Sequence, residues 1–554
     1  MSSLNSELQS FKDSINKLIK AESDENKATI LFEIYAKLVK LKGVDDIPKT
    51  KTQNRKDQAK LPDITNYPTT VEEIKTIVKN AYQDGNTIVR VIGSGHSIPN
   101  AIIDTPPDGK KVVFISLEKF YGVEIDKTNN TAKVKSGTHL NKDPQDSSST
   151  VQNSLNYLIN EAGYALPDLG GIAHQTVGGF ISTGSSGGST KYSIEDSIIG
   201  ISIINGEGNE EELKRPDDKF FAAGVSMGLL GIITHITFKL EENYLVYGNQ
   251  ICTFTEPLNS DYQEGCPIDL FGTGTTDVPS LYDFLNNGDK YDAEYSRLYW
   301  WPQALVNRLT IWKAKRTKVK DLEGFDKAIL PYNEFPEYFG SQIPAQIIAN
   351  IAYIALNLLY LIDNEQTREI AAYILSFFNG VVCQSFQDIW YSGLPMDDKV
   401  SDVLLPTTFT ELWFEIGNDD SMTKKVMNLL KTHFQNGGDK AVGNNATELY
   451  AAKANEFWLS PSYGYNVIRI DFLFFLGNIY PSDPETFYAQ LWEVFNDVPF
   501  RCHWGKYIPD NYSDKVQSLY PKYNDWMNVR NQMDPKQIFV TPYWRKVLKI
   551  EPLK

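Results

Sequence analysis

The chain has 554 residues, of which 54 are Lys or Arg and 70 are Asp or Glu, for a formal net charge of −16. With 42% hydrophobic and 22% charged residues it is neither disordered, collagen-like nor coiled coil, and its length suits two or three globular domains. The acidity argues against nucleic acid as a partner, because phosphate neutralisation needs a basic stripe. Four scattered cysteines (Cys252, Cys266, Cys383, Cys502) form no disulfide or zinc framework.

The first sixty residues read as a helical extension. Leu8, Phe11, Ile15 and Leu18 recur at helical spacing, as do Ile30, Leu31, Ile34, Leu38 and Leu41, before a polar linker. The N-terminus lacks the charged-then-apolar plan of a signal peptide, so a cytoplasmic location is expected. From Tyr67 the texture changes. Thr70 and Glu73 have capping-box spacing, Val71, Ile74, Val78 and Ala81 supply a helical stripe, and TIVRVI (87–92) predicts a strand. Further strands are expected at KVVFISL, TAKVKSG and SIIGISIING, and a helix near 154–161.

Residues 245–504 are more aromatic and interrupted. YSRLYWWP (295–302), LWFEI (412–416) and YNVIRIDFLFF (465–475) read as strands, and a short helical segment, 505–554, closes the chain. Residues 341–362 carry no charge over a length that could just span a bilayer. Two Gln, two Asn and a Pro within the run, with Glu337 and Asp363 beside it, favour a buried helix over a membrane-facing one. The whole predicts an α+β protein of two bodies, 61–244 and 245–504, with ligands at their junction.

Two glycine-rich segments carry the chemistry. Gly93-Ser94-Gly95-His96-Ser97 directly follows a strand, and LGGIAHQTVGGFISTGSSGGS fills 169–189. Glycines let backbone N–H groups approach an anion closely, so two such loops could wrap a pyrophosphate. Neither matches the dinucleotide fingerprint or the Walker loop, which makes a Rossmann reading weak. His96, one of only six histidines, would lie beside whatever those amides hold.

TIVRVIGSGHS, LGGIAHQTVGGFISTGSSG and GLLGIIT, followed by YSRLYWWP, WLSPSYG (458–464) and His503-Trp504-Gly505-Lys506, resemble the vanillyl-alcohol-oxidase superfamily in order and spacing. The resemblance is to its aldonolactone and alditol oxidase branch. It implies a two-part PCMH-type FAD-binding domain over 61–244, a mixed α/β cap over 245–504 and a C-terminal return to the FAD domain. It further implies FAD bonded covalently to His96, with Gly93, Ser94, Gly95, Ser97, Gly170, Gly171, Thr176, Gly179, Ser182, Thr183, Gly184 and Ile233 lining the cofactor. The second loop has no Cys, so a single covalent bond is expected. Relatives commonly read Thr-Gly-Thr-His-Gly where this chain has Thr183-Gly184-Ser185-Ser186-Gly187. A glycine at position 170 leaves room for O2, where relatives that exclude oxygen tend to place a larger residue.

For substrate chemistry the resemblance points to Lys506, at the family lysine that reaches the reacting oxygen. Glu448 stands where alditol oxidases carry Glu-x-Arg, with Tyr450 in place of the arginine. On a strand those two residues share a face. Arg469, Asp471 and Leu473 share the polar face of their strand, where relatives can have His and Thr at 471 and 473. Asp471 is either the base or an ion-pair partner of Arg469. His503 is a further candidate for substrate contact. The expected activity is oxidation of a hydroxyl of a polyol, sugar or lactone, with O2 reduced to H2O2. An amino-sugar is a further option. The alternatives are a dehydrogenase using another acceptor, and a flavin-binding interaction module. No metal is expected.

Overall fold

The computed structural model describes Asp13 and residues 66–553 apart from 105, 107–108, 256–265, 304–305, 319–328, 334–352, 354, 358, 361–367, 369–370, 373, 376–382, 397, 399–405 and 477–481. The helices expected before residue 60, and most of the uncharged 341–362 run, lie outside the described residues. Among those described, no helix is long and apolar enough to cross a membrane.

The helix Val71–Asp84 begins with the expected capping box. Thr70 accepts from the Glu73 N–H, the Glu73 carboxylate accepts from the Thr70 N–H, and Gly85 ends the helix at φ 68°. Strand β1 (Thr87–Ile92) follows and pairs in parallel with β2 (Lys111–Ser116). A five-stranded sheet has the order β3 (Val123–Asp126), β4 (Thr131–Lys135), β8 (Ile232–Lys239), β6 (Ile198–Ile204), β7 (Glu210–Lys214). Strands β5 (Tyr164–Ala165) and β9 (Glu241–Glu242) form a small ribbon.

The second glycine tract is not all loop. It contains the helix Val177–Ser182, capped by the Thr176 hydroxyl, which accepts from the Gly179 N–H at 3.3 Å. Val177, Phe180 and Ile181 are buried in the core, and their packing outweighs the roughly 1 kcal/mol per glycine that Gly178 and Gly179 cost the helix.

Beyond Tyr244 the chain builds an eight-stranded antiparallel sheet of β10 (Tyr244–Phe254), β11 (Tyr295–Trp301), β12 (Arg308–Lys318), β13 (Gln384–Ile389), β14 (Thr407–Glu415), β15 (Thr447–Ala452), β16 (Val467–Phe475) and β17 (Arg501–Cys502). Their spatial order is β13-β10-β12-β11-β15-β16-β14-β17. The three aromatic runs expected as strands are β11, β14 and β16. The long strands β10 and β12 escape the sequence pattern because lysine, arginine, glycine and asparagine interrupt their alternation.

The C-terminal segment packs back on the first body. The Ile538 carbonyl accepts from the Val89 N–H at 2.7 Å, and the Met533 carbonyl accepts from the Gly206 N–H at 2.7 Å. The indoles of Trp526 and Trp544 donate to the carbonyls of Ala222 (3.1 Å) and Ala101 (3.0 Å). Replacing the fully buried Trp526 by alanine should cost about 3–5 kcal/mol, read by denaturant unfolding of the whole chain.

Candidate active site

One cleft runs from the carboxyl end of β1, between the two glycine segments, onto the face of the eight-stranded sheet. Its walls are set by contact between segments distant in sequence. A Cβ on Gly93 would stand 2.5 Å from the Thr176 hydroxyl, so the first loop rests directly on the cap of the helix in the second. The Ser94 hydroxyl donates to the His174 carbonyl at 3.2 Å, and the His96 ring stacks on His174 with centroids 4.6 Å apart. The Ile98 N–H donates to the Gly505 carbonyl at 2.8 Å, which ties the first loop to His503-Trp504-Gly505-Lys506.

The sheet contributes two rows of side chains whose order follows from strand register. Glu411, Asp471, Glu448 and Tyr299 lie opposite one another across β14, β16, β15 and β11. Two residues along each strand, on the same face, stand Trp413, Arg469, Tyr450 and Arg297. A row of carboxylates therefore neighbours a row holding two guanidiniums. Arg469 donates to Glu411 at 2.6 Å and to the Tyr450 hydroxyl at 2.8 Å, Arg297 pairs with Glu448, and Lys506 reaches both Asp471 and, at 2.8 Å, Glu411. Three buried carboxylates thus face three cations, which is how charges persist inside a protein.

These pairings set the protonation states. Burial pushes the Asp471 carboxyl up to about 6 against the pull of Lys506, and the Glu411 charge adds to the rise. Burial also opposes ionisation of Glu411, yet Arg469 and Lys506 outweigh it and hold that carboxyl well below the usual range. Burial pushes the His503 imidazole down to about 3, so it is neutral at physiological pH.

Nearly all the expected site residues share this cleft: His96 with Gly93, Ser94, Gly95 and Ser97; Gly170, Gly171, Thr176, Gly179, Ser182, Thr183 and Ile233; and Glu448, Tyr450, Asp471, His503 and Lys506. Gly184 stands apart. It turns the chain at φ 73° and packs on Pro461, where a Cβ would come within 2.9 Å. His503 also lines the cleft, with Nε2 paired to the Ser185 hydroxyl at 2.9 Å and Nδ1 accepting from the Gly505 N–H at 3.0 Å. Asp471 does not pair with Arg469, whose donors go to Glu411, Tyr450 and the carbonyls of Ser186 and Gly187 (2.9 and 2.8 Å). Those two carbonyl bonds hold the stretch that departs from Thr-Gly-Thr-His-Gly. A Cβ on Gly170 would meet the Phe180 ring at 2.9 Å, so packing alone accounts for glycine there, and its link to oxygen access loses force.

Glu411 and Arg297 escape the sequence reading. Arg297 sits in a recognised motif but acquires a role only through its position opposite Tyr450, and Glu411 is fully buried on a strand whose pattern marks it as nothing unusual. A Cβ on Gly171 would stand 2.5 Å from the Arg297 guanidinium, so that glycine seats the arginine.

Comparison with known proteins gives the same picture. A family model described as FAD binding domain matches residues 62–214, and one described as D-arabinono-1,4-lactone oxidase matches 273–547. D-arabinono-1,4-lactone oxidase of Candida albicans is 26% identical over 265 residues, 45% of this chain and 40% of that protein. The chain's match thus spans about two fifths of that relative's length. L-gulonolactone oxidase of Scyliorhinus torazame is 23% identical over 495 residues, 88% of this chain and 95% of that one. The solved cholesterol oxidase of Brevibacterium sterolicum superposes with a TM-score of 0.63 at 13% identity, covering 87% of this chain and 93% of that one, which shows the shared fold. A glycine cradle built from two loops, set against a charged antiparallel sheet, is the α+β arrangement of PCMH-type flavoproteins, whose cofactor is FAD. The chain thus pairs an FAD binding domain with a D-arabinono-1,4-lactone oxidase domain, the combination that the resemblance to the aldonolactone oxidase branch leads one to expect.

The residues present fit FAD. Backbone from both glycine segments faces the cleft, and apolar side chains such as Val91, Ile102 and Ile232 line it.

Glu411→Gln should destabilise the protein by about 3–5 kcal/mol, because Arg469 and Lys506 lose a shared counter-charge. Since the Glu411 carboxyl is depressed in the folded state, its contribution is complete above about pH 4.3 and is lost as pH falls. Urea melts of both proteins between pH 3 and 7 should therefore converge toward the acid end.

Proposed function

We propose that this protein is an FAD-dependent oxidase that converts a hydroxyl-bearing carbon of a lactone, sugar or polyol to a carbonyl, with O2 reduced to hydrogen peroxide. The observation that carries the reading is the Asp471–Glu448 pair with Arg297, Arg469 and Lys506, backed by the buried Glu411 and opening on the same cleft as the two glycine segments. FAD, when bound, supplies the hydride acceptor and returns the electrons to oxygen. His96 is its covalent anchor. The imidazole faces the cleft on the loop that meets the helix cap, and its ring plane is set by the stack on His174.

The protein's own groups handle the proton and the alignment. Asp471, ionised above about pH 6, accepts the substrate hydroxyl proton. The Lys506 ammonium beside it stabilises negative charge developing on that oxygen. The Arg297–Glu448 pair presents a donor next to an acceptor and so orients neighbouring oxygens of the substrate. Tyr450, held by Arg469, walls the same pocket. Because carboxylates and cations on this face balance, the pocket suits an uncharged polyhydroxylated ligand. The Arg297 guanidinium beside Tyr450 favours a neutral ligand over an amino-sugar. A dehydrogenase is distinguished by the ratio of peroxide formed to artificial dye reduced. An interaction module is distinguished by a flavin that no substrate bleaches.

Anaerobic bleaching across a panel of lactones, alditols, sugars and amino-sugars should single out neutral lactones or polyols, and a flavin that none of them reduces would overturn the proposal. Acid precipitation should leave the wild-type pellet yellow, while His96→Ala should release its flavin to the supernatant. Lys506→Ala should slow flavin reduction by about 10²–10³-fold with flavin content unchanged. Turnover should rise with pH through about 6 as Asp471 ionises, and Asp471→Asn should abolish that limb along with most of the activity.

A further inference from the structure

Among the described residues, four cationic side chains line the cleft: Arg90, Arg297, Arg469 and Lys506. The last three hold carboxylates at the sheet end. Arg90 does not. It projects from β1 and is only 6% exposed, and its Nη1 and Nη2 donate to the carbonyls of Phe539 (3.3 Å) and Ala101 (3.0 Å). Its Nε has no hydrogen-bond partner. Burial alone pulls its guanidinium down to about 10, with no neighbouring charge contributing, so it stays cationic at neutral pH. Two carbonyl dipoles satisfy donors but do not neutralise a charge, and a buried cation without a counter-ion is costly. Beside Nη1 passes Gly228, whose added Cβ would stand 3.6 Å from it, so this residue brings backbone and no side chain to that edge of the guanidinium.

We propose that Arg90 is the counter-ion of the FAD diphosphate, supplying through a side chain the positive charge that the glycine loops offer only as backbone dipoles. The cofactor's anionic group completes a charge balance that the protein leaves open at this end of the cleft and closes at the other. Arg90 also joins β1, the 99–102 segment and the C-terminal segment through its two carbonyl bonds, so anion binding and assembly of the cleft wall are coupled. The inference rests on FAD as the cofactor and not on the His96 linkage. A colourless acid pellet from the wild type would remove the linkage and leave Arg90 open to test.

The test uses the full-length holoenzyme and two substitutions, Arg90→Met and Arg90→Lys. Phosphorus NMR should show the FAD diphosphate resonances displaced in both variants relative to wild type. In a His96→Ala background, where flavin binds without a covalent bond, Arg90→Met should raise the FAD dissociation constant on the order of tenfold to a hundredfold. Riboflavin, which has no phosphate, should bind the His96→Ala protein and its Arg90→Met and Arg90→Lys derivatives equally. Unchanged phosphorus resonances, or equal loss of FAD and riboflavin affinity, would make Arg90 a structural clamp and overturn the proposal. If Arg90→Met does not fold, the Arg90→Lys spectrum decides alone.

Discussion

The structure depends on neutralising charge that an antiparallel sheet has buried. Glu411, Asp471 and Glu448 stand side by side on three adjacent strands, and like charges so placed repel strongly in a poorly solvated interior. Each is answered by a cation from a different place: Arg469 from the next row of β16, Arg297 from β11, and Lys506 from the C-terminal segment. None of these charges is tolerable without its partner. Strand register, the reach of Lys506 and the fold of the tail are therefore mutually required, and the outcome is a charged, hydrogen-bonded floor to the cleft.

The glycine segments solve a different problem, that of close approach. Gly93 lets the first loop touch the Thr176 hydroxyl, and Gly171 makes room for the Arg297 guanidinium. The second contact joins the two halves of the site, since the same arginine that rests on the cofactor-binding segment holds the Glu448 carboxylate of the sheet. Arg469 does likewise through the carbonyls of Ser186 and Gly187. The cofactor cradle and the substrate floor are thus one connected hydrogen-bonded unit, and a change on either side is felt on the other.

This coupling bears on how the pocket departs from its relatives. At position 450, where the resemblance leads one to expect an arginine, stands a tyrosine, and Arg297 lies directly across the strand pair from it. In the Ser185-Ser186-Gly187 stretch, where the resemblance leads one to expect a histidine, the Arg469 guanidinium donates to the carbonyls of Ser186 and Gly187. Both cases preserve local charge and hydrogen bonding with residues drawn from neighbouring strands.

Local pattern alone was enough for the capped helix at Val71 and for β1, β11, β14 and β16, while the expectation of an FAD cradle at His96 came from the resemblance of the motifs in their order. Those features depend on neighbours in sequence: cap spacing, alternation, and glycines within a few residues of one another. The helix inside the second glycine tract, the strands β10 and β12, and the roles of Glu411, Arg297 and Arg90 emerged only with the fold. Helix formation there relied on core contacts to Phe180 and Ile181 that no propensity records. A buried charge becomes interpretable only when its counter-charge, or the lack of one, can be found across strands far apart in the chain. Glycine spacing therefore marked an anion cradle and motif resemblance supplied its cofactor, while tertiary register decided how the sheet face of the cleft is charged and which of the described cations in it was left without a carboxylate.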